Sequence, residues 1–111
     1  MSSDFGKRVV EIIQSIPEGK VMTYKLVAEQ AGNPKAARAV AGILKRKSEK
    51  YNLPWHRVIN SMGKISLKSK TGYSKQKKRL QKEGVIFNKK NRIDFKKYLF
   101  LGKMNKKGKN D

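Results

Sequence analysis

The chain has 111 residues, one histidine, no cysteine and a formal net charge of +20. That length suits one domain with a modest core, and the composition excludes a disulfide framework, a thiolate metal site and a thiolate nucleophile. Apolar runs reach four residues at most, too short for a membrane span, and Met1-Ser2-Ser3-Asp4 carries no secretory pattern.

Phe5, Val9, Ile12, Ile13 and Ile16 recur at helical spacing behind a serine cap, which predicts a first amphipathic helix over about 3–15. Ile16-Pro17-Glu18-Gly19-Lys20 reads as a turn into a short extended Val21-Met22. Thr23 is suited to cap a second helix that Gly32 ends. Asn33-Pro34 places a cap and a first-turn proline, so a third helix is predicted from there to about Lys47. Its inward stripe is Ala37, Val40, Ala41 and Leu44; its outward stripe includes Lys35, Arg38, Lys45 and Arg46. Two short helices around a glycine turn have helix-turn-helix proportions. Small residues at 36, 37, 39, 41 and 42 thin one end of the third helix, which suits close approach to DNA or close helix packing.

Lys45 to Asn52 reads as a polar loop. Residues 57–60 and 64–67 read as a hairpin of wing size around Ser61-Met62-Gly63. Lys68 to Thr71 reads as a basic loop, and Ser74 to Glu83 as a strongly basic helix stopped by Gly84. Residues 85–87 and 93–95 suggest a late hairpin. The domain is expected over 1–101, with 102–111 as a basic disordered tail.

Charge divides the chain. Four basic and four acidic residues cancel over 1–33, whereas 34–111 holds 24 basic residues against four acidic. A polyanion is the expected partner, and nucleic acid leads. Genome composition can enrich lysine but does not explain so few acids. No long basic helix with a bulky apolar face supports a membrane surface instead. One histidine and no cysteine leave no zinc ligand set, and no cofactor is expected.

Three ordered stretches resemble the O6-alkylguanine-DNA alkyltransferases. Pro54-Trp55-His56-Arg57-Val58-Ile59 resembles their Pro-Cys-His-Arg-Val signature, with tryptophan at the acceptor cysteine. Ile16 to Tyr24 resembles their Ile-Pro-x-Gly-x-Val-x-Thr-Tyr run, and Pro34 to Gly42 resembles their recognition helix. Leu80 to Gly84 resembles the helix that closes their domain, so the likeness covers roughly 4–87. The tryptophan version is typical of the alkyltransferase-like proteins, which bind alkylated guanine without repairing it.

The resemblance implies a mainly α fold with a small β wing, the winged helix-turn-helix of the alkyltransferase C-terminal domain. The separate N-terminal domain of the alkyltransferases is not expected in 111 residues. The implied activity is non-enzymatic: minor-groove docking on duplex DNA, flipping of an O6-alkylguanine, and hand-over to nucleotide excision repair proteins. A monomer inside the cell is implied, in the nucleus of a eukaryote or the cytoplasm and nucleoid of a prokaryote. Arg38 is the implied finger that fills the vacated stack, and Tyr24 the residue that pushes the phosphate 3′ to the target. The implied lesion pocket is Trp55, Tyr24, Pro54, Val58 and Lys68, with Lys70 as the alternative cation. The implied DNA surface is Thr23, Tyr24, Lys35, Ala36, Ala37, Arg38 and Lys45. With no thiolate to serve, His56 and Arg57 are read as structural.

Two departures from the alkyltransferases stand out. Their active-site asparagine, some eight residues before the cysteine, is missing from Lys47-Ser48-Glu49-Lys50. Their Gly-Gly loop is replaced by residues 68–75. Two rival readings remain. A winged-helix transcription regulator would need major-groove readers, and the third helix offers few. A base-removing hydrolase would need an acid near Trp55, and the nearest in sequence are Glu49 and Glu83.

Overall fold

A computed structural model describes residues 2–102. The chain forms α1 (Ser2–Gln14), β1 (Met22–Thr23), α2 (Tyr24–Gln30), α3 (Ala37–Tyr51), β2 (Val58–Ile59), α4 (Lys70–Lys82) and α5 (Phe95–Tyr98). This is a mainly helical architecture with a minimal sheet, as the sequence predicts.

The apolar stripe of α1 gives Val9 and Ile13, both fully buried, to a core shared with Val27 of α2 and Val40, Ile43 and Leu44 of α3. Met22, Leu53 and Val58 complete it. A second cluster joins Val21, Ile59, Leu80, Val85, Ile93 and Tyr98, and ties α4 and the C-terminal segment to the first. Thr23 caps α2: its hydroxyl accepts the Leu26 N–H at 2.9 Å, one of the orphan donors at a helix start.

Several boundaries differ from expectation. Helix α3 begins at Ala37, not Pro34. The Asn33 side chain instead accepts the Lys35 N–H at 3.1 Å, and the Ala36 N–H bonds to Asn33 O, so Asn33-Pro34 closes a turn. The helix also runs on to Tyr51. It stops only where Asn52 turns left-handed, at φ 51°, a conformation asparagine tolerates. The expected loop over 45–52 is therefore helix as far as Tyr51, since most of its polar residues are good helix formers.

The wing is not a hairpin. Residues 64–67 form no strand, and β2 pairs in parallel with β1, Met22 opposite Val58 and Thr23 opposite Ile59. Asn60 explains this, because its side chain accepts the N–H groups of Met62 (2.9 Å) and Lys64 (3.0 Å) and closes the loop on itself. Gly63, at φ 79°, carries the backbone past Ile93; an added Cβ would lie 2.9 Å from Ile93 O.

Helix α4 starts four residues early, at Lys70, because the Ser69 hydroxyl accepts the Gly72 N–H at 3.0 Å. The late hairpin shrinks to one bridge, Phe87 with Ile93, and Asp94 then caps the unforeseen α5. The expected tail lies beyond the described residues except for Gly102. No described helix is long and apolar enough to cross a membrane.

Candidate nucleic-acid interface

A cleft of about 730 Å³ opens between α3, the first residue of α2, the turn at Trp55, the loop at Ser66-Leu67 and Gln76 of α4. Helix α3 supplies six of its lining residues: Ala37, Arg38, Ala41, Leu44, Lys45 and Ser48. Their spacing is helical, so one stripe of α3 forms a wall. Alanines at 37 and 41 keep that wall low. Arg38 and Lys45 give it exposed positive charge.

Trp55 stands in a single 3-10 turn, Trp55–Arg57, between Pro54 and β2. It is half-buried, packs against the main core and meets the His56 ring edge-on at 6.2 Å between centroids. The Arg79 guanidinium lies over the indole at 5.4 Å from the ring centroid. The chain between Trp55 and β2 is clamped from α4. The buried Gln76 donates from Nε2 to the carbonyls of His56 and Val58, both at 3.0 Å.

Behind the cleft, Glu83 gathers three partners. Arg57 donates from Nη2 to Oε2 at 2.7 Å and from Nε to Oε1 at 3.0 Å. His56 Nε2 meets Oε2 at 2.7 Å, and the Gly19 N–H donates to Oε1 at 3.0 Å. Burial pushes the Glu83 carboxyl up, but the bonds from Arg57, Gly19 and His56 outweigh it and hold the group at about 2. Burial pushes His56 down, and this outweighs the pull of Glu83 in the other direction. His56 is thus neutral at pH 7, with Nε2–H donating and a buried Nδ1 without a partner. Arg57 also donates from Nη1 to Ile16 O at 2.8 Å. The knot therefore ties the turn that carries Trp55 to the loops after α1 and α4.

The expected site residues divide. Tyr24, Ala37, Arg38, Lys45 and Trp55 line the cleft. Val58 does not: it is fully buried in β2, beneath the site, so it is corrected from lining to core. Pro54 precedes the turn, and Lys68 and Lys70 are exposed beyond Leu67; none of the three lines the cleft. Thr23 is buried and its hydroxyl accepts the Leu26 N–H as a cap, so it sets the start of α2 beneath Tyr24. Lys35 is exposed and Ala36 half-buried in the turn before α3.

Gln76 and Ser48 were missed. Gln76 had a signal, as a neutral side chain one turn before Leu80 in an otherwise lysine-rich helix. Ser48, whose buried hydroxyl has no partner, carries none, since it lies in a segment that reads as a polar loop. Glu83 is close to Trp55 in space, through His56, although distant in sequence. Its oxygens are committed to the Arg57 guanidinium, the His56 ring N–H and the Gly19 N–H, so it is no free general acid. No described group of His, Asp and Glu could hold a metal ion.

The 6-O-methylguanine DNA methyltransferase DNA-binding domain model matches residues 4–85. A DNA base-flipping protein of Escherichia coli K12 is 49% identical over 96 residues, covering 85% of this chain and 72% of the relative. Alkyltransferase-like protein 1 of Schizosaccharomyces pombe is 42% identical over 83 residues, 74% of this chain and 77% of that one. The crystal structure of S. pombe Atl1 in complex with damaged DNA containing O6-carboxymethylguanine matches with a TM-score of 0.76 at 35% identity. That match covers 90% of this chain and 96% of that chain. Mycobacterium tuberculosis O6-methylguanine methyltransferase matches with a TM-score of 0.58 at 31% identity, over 72% of this chain and 48% of that one.

The fold and the signature around Trp55 thus define a DNA-repair class built on the alkyltransferase DNA-binding domain. Within it, the chain belongs to the alkyltransferase-like branch of the O6-alkylguanine-DNA alkyltransferase family, with Trp55 at the place of the acceptor cysteine.

Proposed function

We propose that this protein is a non-enzymatic reader of O6-alkylguanine in duplex DNA. The observation that carries the reading is the cleft walled by Trp55 in a chain without cysteine. A flipped base has a cavity and an aromatic wall to enter, but no thiolate to receive its alkyl group. Glu83 is engaged by His56, Arg57 and the Gly19 N–H, and His56 keeps only a buried Nδ1 lone pair, with no nucleophile beside it to activate among the described residues.

The thin start of α3 docks in the minor groove. Arg38, exposed at the cleft rim, enters the base stack in place of the extruded nucleotide. Unstacking costs about a few kcal/mol, which a planar guanidinium partly offsets by stacking and hydrogen bonding. Tyr24 presses on the backbone beside the target, and the base settles against Trp55. Lys35, Lys45 and the amides of Ala36 and Ala37 meet phosphates. Lys68 or Lys70 reaches the base only if the loop after Leu67 folds inward. Residues 1–101 act as one unit, as a monomer without cofactor. The bound complex marks the lesion for nucleotide excision repair proteins, in the nucleus of a eukaryote or on the nucleoid of a prokaryote. The regulator reading is weaker, since the cationic stripe of α3 borders a cavity, which a protein reading groove edges alone does not need.

Duplex carrying a radiolabelled O6-methyl group tests the chemistry. We expect all label to stay on the DNA in the complex. Label on the protein would overturn the non-enzymatic reading. Trp55→Cys should gain little transfer, because Glu83 is locked to Arg57 and the family's relay asparagine is absent.

A further inference from the structure

Arg79 lies over the Trp55 indole at 5.4 Å from its centroid. Its natural partner along α4 would be Glu83, one turn on, where an arginine and a glutamate share a face. That carboxylate is taken by Arg57, His56 and the Gly19 N–H. No side-chain hydrogen bond or ion pair holds Arg79 among the described residues, so the indole is its one specific contact. Trp55 lines the cleft and Arg79 does not. The exposed Arg79 is therefore not part of the cavity lining, although it lies over a ring that is. Two elements that pack through the Gln76 clamp thus hold a cation against a side chain of the cleft wall.

From this arrangement we propose that Arg79 is a positioning and specificity-determining residue, which sets the plane and the electron density of the Trp55 wall so that it favours an electron-rich purine. This rests on the reading of the cleft as a base pocket. A cation over an aromatic ring is held by the ring's negative face and draws π density toward itself. The indole is then a poorer donor on its remaining surface, and its best stacking partner is an electron-rich purine; a weakly paired O6-alkylguanine is extruded and meets this wall, whereas an undamaged guanine stays in its pair. The same contact fixes the ring angle, which Gln76 and β2 alone leave free about the side-chain torsions.

Trp55 is the single tryptophan of the chain, so its fluorescence reports this contact without interference. Arg79→Gln keeps a planar polar head and removes the charge; Arg79→Lys keeps the charge. In free protein, Arg79→Gln should shift the emission maximum of Trp55, and Arg79→Lys should return most of the shift. At fixed salt, Arg79→Gln should lower the affinity for an O6-methylguanine duplex about three- to tenfold while affinity for undamaged duplex falls less than about twofold. Arg79→Lys should recover most of that preference. Equal losses on both duplexes would reduce Arg79 to a phosphate contact and overturn the proposal, as would an unchanged preference. If the wild-type protein itself shows no lesion preference, the base-pocket reading fails. The Arg79–Trp55 coupling is then decided by the emission shift alone, and an unshifted maximum overturns it.

Discussion

Arg38 and Tyr24 both line the cleft but do different work. Arg38 is exposed and points from a helix thinned by alanines, whereas Tyr24 is half-buried against the core at the first turn of α2. Arg38→Ala removes the group proposed to fill the stack. Lesion binding should weaken by about 1–3 kcal/mol while non-specific binding falls only slightly, because one charge among many is lost. Tyr24→Phe keeps the ring and should have little effect; Tyr24→Ala removes the proposed pushing surface and should be clearly worse. A fluorescent base analogue beside the lesion, which brightens when unstacked, reads both. Full brightening with normal affinity in Arg38→Ala would leave Arg38 as a phosphate contact only.

Among the elements, the turn carrying Trp55 depends most on one side chain. Glu83 joins it to α4 and to the loop after α1. Glu83→Gln leaves the Arg57 guanidinium in a largely buried place without its anion, and should cost about 2–3 kcal/mol in urea unfolding. The pH dependence has the same origin. The folded pKa of Glu83 is about 2 against an ordinary 4.5, so its contribution is complete above 4.5 and is lost as pH falls toward 2. His56 is lowered from its ordinary 6.5, so the unfolded chain takes up its proton first and stability begins to fall below 6.5. Unfolding midpoints should therefore be flat above about pH 7 and drop on acidification. In Glu83→Gln the segment of that drop between pH 4.5 and 2 should largely vanish. A wild-type profile flat down to pH 3 would contradict the knot.

Some elements were legible because their signals are local. The stripe of α1 and the Thr23 cap follow from side-chain periodicity and short-range hydrogen bonds; for α3 the periodicity places Val40 and Leu44 in the core, but Ala41, expected inward, is exposed on the cleft wall beside Arg38 and Lys45. The parallel β1–β2 pair was not legible. Strands of two residues show no alternation, and their partners lie far apart in the chain. The Asn60 loop was read as a hairpin because side-chain closure of a loop leaves the same turn residues in the sequence. The site followed the same division. Trp55, Tyr24 and Arg38 came from the motifs, whereas Gln76, Arg79 and the reach of Glu83 depend on how α4 packs. That packing is set by Leu80 and Val85 in the second core cluster.

For the whole molecule the dominant fact is charge, +20 in all, with the excess beyond residue 33. Much of it lies outside the cleft, on α4 and the segment after it, where Lys77 donates to Asn91 at the surface and sits near Phe87, and Lys97 sits near Tyr98. If about five such cations meet phosphates, log K should fall with log salt at a slope near −4 to −5. A slope shallower than about −2 would mean that most of this charge faces solvent. Charge alone, however, attracts any duplex; the reading of the protein as a lesion reader requires that the cleft discriminate. The measurement that tests this most directly is binding of two duplexes identical except for guanine or O6-methylguanine at one position, at one salt concentration. The damaged base pairs poorly and is cheaper to extrude, and Trp55 adds contact once it is out. The damaged duplex should bind at least about tenfold more tightly, about 1.4 kcal/mol. Equal affinity for the two would contradict the account.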